Sequence, residues 1–499
     1  MFRKLTAMLL VVGVLAWSAA QGTLIIAQGT DAASLDAAKA TDSPSATVYS
    51  HIYETLFELK ANGDIVPLLA TNYAVSADGL TWTFDIRQGV TFHDGTPLTA
   101  NEVKASIDRF LAPETAAPFR FLLNRIEEVN VLDTHKVEFK LASVFAPLLS
   151  HLTHSSTAIV KTGLDLDVSP IGTGPFEFVS WERGQTIDLT RFEGYWGEKP
   201  GIEGLRFLAV PEATTRMALV ETGEAHVSVR VPPQDVARLN ANPNVTVENV
   251  SSVRTIYIYF NHTMEPFTDV RVRQAINYAV DKEEIAEFVV GGAVRVSDAP
   301  VSPGVFGYTP VGNYDYDPEK AKQLLADAGF PNGFSTTLYS PNGRYLQDIQ
   351  ISEAIQSQLA AVGINAEIET LEWAAFLELT SLPVEETVVP MALMGWGTVT
   401  GDADYGLFAL FHTSEHVPDG SNRAFYSNSM VDALLDEART NTDPTVREQI
   451  YTDAMNLIWT DAPWLFLHSE TQLVAVRDGV NGVVIHPTER VLALTASLD

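Results

Sequence analysis

Apolar and polar positions along this chain fall into two registers. The runs from Thr81 to Arg87 and from Lys136 to Leu141 alternate with a period of two, as a half-buried strand does. The stretch from Asn101 to Leu111 instead repeats with helical spacing, and Thr99 with Glu102 supplies a capping box in front of it. Thr23 to Ala27 is a short, β-branched apolar run ending in Gln28, Gly29, Thr30 and Asp31, which predicts a buried strand that opens into a turn. From 171 to 260 strand signals dominate around one helix at about Pro211 to Glu221, and the run Tyr257 to Phe260 closes that block.

The texture changes at Asp269. Val272, Ala275, Ile276, Ala279 and Val280 form a helical stripe within a predicted helix from Val270 to Val290, and Asp317 with Pro318 opens another that Gly329 stops. Gln350 to Val362 is a third helix and Ile364 to Leu371 a strand. Met430 to Ala438 and Val446 to Trp459 are two more helices, and Gln472 to Val476 returns to strand period. Mixed α and β segments with long-range returns and no fixed repeat predict an α/β protein of two lobes rather than a solenoid.

Composition narrows what such a protein does. Over 499 residues, 32 Lys and Arg face 63 Asp and Glu, a net charge of −31, so no broad basic face is available for a nucleic acid backbone. Cys is absent, which removes disulfides, thiolate metal sites, Cys nucleophiles and a lipidated N-terminus. Phe2, Arg3 and Lys4 precede an apolar stretch from Ala7 to Trp17 and the small residues Ser18, Ala19 and Ala20, which reads as a secretion signal cleaved near Ala20. Eleven residues of helix reach only about 16 Å, too short for a bilayer core. The expected product is periplasmic, unanchored and monomeric.

Catalytic signatures are missing: there is no G-x-S-x-G elbow, no phosphate-binding G-x-x-x-x-G-K-[ST] loop and no H-E-x-x-H helix. Gly172 and Gly174 resemble half a dinucleotide fingerprint, but Pro175 stands where its helix would open. His412 with His416, and His151 with His154, have spacings that would chelate a metal on one helix face, though packed or solvated histidines explain them as well. No cofactor and no metal is expected.

The segment Leu80 to Val103, which includes Phe92, His93, Asp94 and Gly95, closely resembles the signature of the family 5 solute-binding proteins of ABC transporters, which carry dipeptides, oligopeptides, glutathione or nickel chelates. Further stretches follow in the family's order: Gly172 to Phe178, Tyr257 to Asn261, Pro266 to Ile276, Tyr316 to Leu325 and Tyr426 to Asp432. The resemblance implies a bilobed periplasmic-binding-protein fold with a hinge, two mixed-sheet lobes and an extra subdomain in the first. It implies lobe I from 21–50, 168–261 and 470–499, an inserted subdomain at 51–167 and lobe II at 262–469, with crossings near His262 and near His468 to Thr471. It also implies a non-enzymatic protein that captures a short peptide or glutathione and delivers it to a membrane permease. Nickel chelates, opines and oligosaccharides are alternative cargoes, and a secreted hydrolase is the alternative of another class.

A peptide presents an ammonium, a carboxylate and amides, so its pocket needs an acid, a basic group and a wall that excludes water. The stretch Gly395 to Tyr405 supplies Trp396 and Tyr405 as aromatic walls and two acids in a Gly-rich loop. By resemblance, Asp402 or Asp404 is expected to grip the ligand amine. Ala403 stands where many members have Pro, which leaves open which of the two faces inward. The wording of this loop leans towards glutathione-binding members. Arg230, Arg344 and Arg423 are the candidates for a carboxylate, and Gln28, Thr30 and Tyr257 for the first lobe's lining.

Overall fold

The computed structural model describes residues 22–499; the secretion-signal expectation falls on residues outside these. Two strands organise the molecule. Val245–Phe260 and Trp464–Arg477 run antiparallel along nearly their whole lengths and sit at the centre of one eleven-stranded sheet. On one side, Met391–Gly397, Phe334–Pro341 and Ile364–Leu371 continue it, the last two pairs parallel. On the other side follow Val227–Ser228, Thr23–Gln28, Gly204–Ala209, Thr186–Arg191 and Phe176–Glu182. Each flank has its own buried cores, so a single sheet passes through two lobes.

The pairing of the two central strands has a break in register. Ser251 pairs with Thr471 and Thr255 with Ser469, so Ser252, Val253 and Arg254 lie opposite Glu470 alone. Such an irregularity bends the strand and releases ladder bonds. Before it, Val245–Phe260 is largely exposed; after it every residue is buried, because Met391–Gly397 now pairs on its other edge and both faces are covered. The break at 251–255 lies upstream of His262, whose N–H donates to the Ala424 carbonyl at 2.9 Å. On the partner strand the break lies at 469–471.

Between Tyr53 and Thr157 the chain builds a separate unit. Ala70–Val75, Thr81–Ile86, Lys136–Leu141 and Ile126–Asp133 form an antiparallel sheet in that order. Helix Ala100–Leu111 packs on it, capped by Thr99 Oγ1 and closed by Glu102, whose carboxylate accepts the Thr99 N–H at 3.0 Å. The core of this unit is dominated by Trp82, Phe84, Phe92 and Phe139, and it takes in Tyr405 from lobe II.

Two local expectations change. The single helix foreseen from Val270 to Val290 is Val270–Ala279 followed by Lys282–Glu284 and a wider turn at Ile285–Val289, because Asp281 caps a new start by accepting the Glu284 N–H. His412 and His416 do not share a helix face. The helix ends at Phe411, His412 binds Ser414 at 2.8 Å, and His416 binds the Tyr426 carbonyl at 2.9 Å. Among the described residues no three His, Cys, Asp or Glu side chains are grouped to hold a metal. No described helix is long and apolar enough to cross a membrane.

Candidate binding cleft

Two cavities adjoin where the lobes meet. The first, about 330 Å³, is lined by Gln28 and Thr30 at the end of strand Thr23–Gln28, by Arg216 and Arg230 of lobe I, by Arg344 of lobe II, and by Glu470 and Glu489 beside the crossing strand. The second, about 320 Å³, is lined by Tyr49, Arg254, Trp396, Tyr405, Arg423 and Arg490, with Phe119 of the subdomain and Trp373 of lobe II. Ser43, Arg344 and Tyr345 border both.

Arg344 is placed by its loop. Both carboxylate oxygens of the buried Asp348 accept backbone N–H groups, from Gly343 at 3.1 Å, Arg344 at 2.8 Å and Tyr345 at 3.1 Å. The Arg344 guanidinium then rests about equally over the rings of Tyr345 and Trp373, at 5.0 and 5.1 Å. Arg230, Gln347 and Glu489, all on the first cavity, have positive φ values of 56°, 56° and 65°. Non-glycine residues adopt this conformation at a cost, and such strain concentrates where side chains are aimed at a ligand.

The charges at the crossing are interlocked. Arg254 holds Glu489 through two bonds of 2.7 and 2.8 Å and lies 3.6 Å from Glu470. Burial opposes ionisation of Glu489, but Arg254 overrides it and holds that carboxyl low. Glu470 is pushed up, first by burial and then by the neighbouring Glu489 charge. Burial, then Arg254, lowers Arg344. An arginine–glutamate pair, a second carboxyl that ionises less readily and a free guanidinium therefore share one cleft.

Of the residues singled out in the sequence, the structure brings Gln28, Thr30, Arg230 and Arg344 to the first cavity, and Arg344, Trp396, Tyr405 and Arg423 to the second. Tyr257, Asp402 and Asp404 line neither. Tyr257 is core, its ring stacked on Trp464 at 3.5 Å. Asp402 caps helix Ala403–Phe411 through the Asp404 N–H and takes two bonds of 2.9 Å from Arg447 and one of 3.1 Å from the Tyr451 hydroxyl. Asp404 takes Arg439 at 2.8 and 3.1 Å. The two acids expected to grip an amine are thus both buried and paired with arginines of the protein itself.

Residues the sequence reading passed over are Arg216, Arg254, Glu470, Glu489 and Arg490. Arg254 and Glu470 each carried a weak signal, a charge where a strand breaks its apolar run: Arg254 stands between Val253 and the stretch Thr255 to Phe260, and Glu470 lies in the polar run His468 to Gln472 that separates Trp464–Leu467 from Leu473–Val476. Arg216 is saturated by backbone carbonyls, at 2.8 Å from Val210 and 2.7 Å from Pro211, and braces the turn after strand Gly204–Ala209.

Residues 64–416 match the family of bacterial extracellular solute-binding proteins, family 5, in its middle region. The chain is 33% identical over 471 residues to the glutathione-binding protein GsiB of Pectobacterium atrosepticum, covering 93% of this chain and 91% of that one. It superposes with a TM-score of 0.83, at 29% identity, on the periplasmic binding protein DppA from Helicobacter pylori in complex with the peptide STSA, over 94% of this chain and 98% of that one. It superposes with a TM-score of 0.85 on a dipeptide binding protein from Pseudoalteromonas sp. SM9913, over 96% of this chain and all of that one, where 23% identity speaks for the fold alone. A continuous sheet through two lobes, a cleft at their crossing and these likenesses converge: the chain belongs to the family 5 bacterial extracellular solute-binding proteins, with their bilobed fold.

Proposed function

We propose that this chain is the exported, monomeric binding component of an ABC importer, which closes on glutathione or a short peptide without cleaving it and presents it to a membrane permease. The observation that carries this reading is the pair of cavities joined at Arg344, which offers guanidinium groups and the carboxyls of Glu470 and Glu489 within one cleft between lobes. A zwitterionic peptide needs both signs of charge on an aromatic, water-excluding wall. Residues 251–255 and 469–471 act as the hinge in this reading, since the ladder loosens there and a ligand touching both lobes favours the closed form. Calorimetric titration with glutathione and with di- and tripeptides tests it, together with mass spectrometry of the peptides recovered afterwards. Saturable binding with intact peptide is expected; turnover, or no binding to any of them, overturns it.

A further inference from the structure

The second cavity carries more positive charge than its own residues neutralise. Arg254 is paired with Glu489, and the one carboxylate of the lining, Asp42, is engaged by the Ser45 N–H and hydroxyl, each at 2.8 Å. Arg344, Arg423 and Arg490 remain, and among the described residues none of them has a carboxylate within ion-pair distance. Arg490 reaches only the hydroxyls of Thr488 and Ser50, at 3.0 and 3.2 Å. Arg423 reaches the Ser381 hydroxyl at 3.1 Å and weakly its own loop, and its buried Nε has no partner. The indole N–H of Trp396, on the same wall, is likewise buried and unpartnered.

Other enclosed arginines in the fold are satisfied. Arg439 and Arg447 hold Asp404 and Asp402, and Arg273 is filled by the carbonyls of Phe267, Thr268 and Asp461. A half-buried guanidinium with unused donors is costly, and more so beside other cations. Keeping three of them around one space, in a chain of net charge −31, makes sense when an anion enters. Arg344 already faces the junction with the first cavity, where a single carboxylate of the cargo would meet it. Arg423 and Arg490 lie beyond that junction.

We propose that the cargo carries a second anionic group, a carboxylate read by Arg423 and Arg490 with the Trp396 indole N–H, so that acidic peptides and γ-glutamyl-type dicarboxylates are selected over neutral peptides of equal length. This rests on the peptide-capture reading above and narrows it to a ligand class.

Isosteric probes separate the two. In calorimetric titrations of the full chain, Ala-Glu-Ala is expected to bind at least about tenfold more tightly than Ala-Gln-Ala, and glutathione at least about tenfold more tightly than its glycine amide. Arg423→Gln or Arg490→Gln should weaken Ala-Glu-Ala more than Ala-Gln-Ala and so abolish the Glu-over-Gln preference, a selective loss that general loosening would not produce. Should Arg490→Gln fail to fold, Arg423→Gln alone carries the test. Equal binding within both probe pairs overturns the second-anion site and leaves peptide capture standing. A preference that survives in both variants overturns the assignment to these arginines. Absence of binding to every probe overturns peptide capture, and the site with it.

Discussion

Nε2 of His151 lies 3.4 Å from Oδ2 of Asp404, and the two residues come from opposite sides of the cleft. His151 belongs to the inserted subdomain, where its Nδ1 faces the Leu122 carbonyl at 2.9 Å; Asp404 belongs to lobe II. Nearby, the Ala146 N–H donates to the Arg439 carbonyl at 2.7 Å, and Phe121 stacks on Tyr405. These contacts exist only while subdomain and lobe II are together. In the hinge-closing reading proposed above, they add to whatever the cargo contributes to closure.

Replacing His151 therefore acts on the open–closed balance rather than on the cleft. His151→Ala is expected to weaken binding of a peptide ligand by a few-fold, because apparent affinity falls with the fraction of molecules able to close. Small-angle scattering of the ligand-free protein should show a larger radius of gyration than wild type. An unchanged radius with unchanged affinity would mean the contact is incidental.

Asp402 gives a sharper contrast. Asp402→Ala strands the buried Arg447 and removes a helix cap, and breaking one side of a buried pair costs about 3 to 5 kcal/mol. The ligand-free protein should show that loss in urea unfolding, with peptide affinity near wild type at temperatures where it remains folded. A tenfold loss of affinity with unchanged unfolding would restore the amine-gripping role.

That contrast also shows what a sequence discloses and what it withholds. The helix starts at Thr99 and Asp317 were legible because capping is decided within a few residues. The central strands were seen only as Tyr257 to Phe260 and Gln472 to Val476, since the rest of each is fixed by distant partners. Trp464–Leu467 is buried on both faces and has no alternation to detect. Asp402 and Asp404 looked free because the arginines that neutralise them arrive 45 and 35 residues later, on other helices. Arg344 was picked out as a cation, but its aim depends on Asp348, whose carboxylate gathers the loop, and that geometry has no sequence signature.

Glu54 sets a pH dependence. It is buried, accepts bonds from Thr173, Tyr195 and Trp196, and among the described residues has no cation within ion-pair distance, so burial lifts its carboxyl from 4.5 to about 7. The folded state then holds a proton that the unfolded chain releases earlier. Stability from this group is greatest below about pH 4.5 and falls as pH rises through about 7, by an amount on the order of 3 kcal/mol. Glu54→Gln, whose amide can donate to the Tyr195 oxygen, should flatten the decline between about pH 5 and pH 8 and stabilise the protein at the upper end. A variant whose unfolding free energy tracks wild type across that range would show that Glu54 stays ionised throughout.

Gly395 tests the partition between the two cavities. A Cβ there would come within 2.6 Å of Ile256 Cδ1 and 2.8 Å of the Tyr345 ring, whose hydroxyl donates to the Gly395 carbonyl at 3.3 Å. Ile256 Cδ1 is the tip of a side chain that can turn, whereas the rigid Tyr345 ring has to shift as a body, and with it the loop that carries Arg344. Gly395→Ala is expected to cost about 1 to 3 kcal/mol of stability, the usual range for overpacking. It should also weaken peptide binding by about tenfold through displacement of Arg344, a charge-pair partner. Tyr345→Leu in the same chain relieves the clash, so the two stability losses should be less than additive, whereas affinity stays low because the ring under Arg344 is gone. Urea unfolding and calorimetry of the single and double variants measure both quantities. Strict additivity in stability would place the strain on Ile256 instead, and wild-type affinity in Gly395→Ala would show that Arg344 reads its ligand independently of the Tyr345 ring.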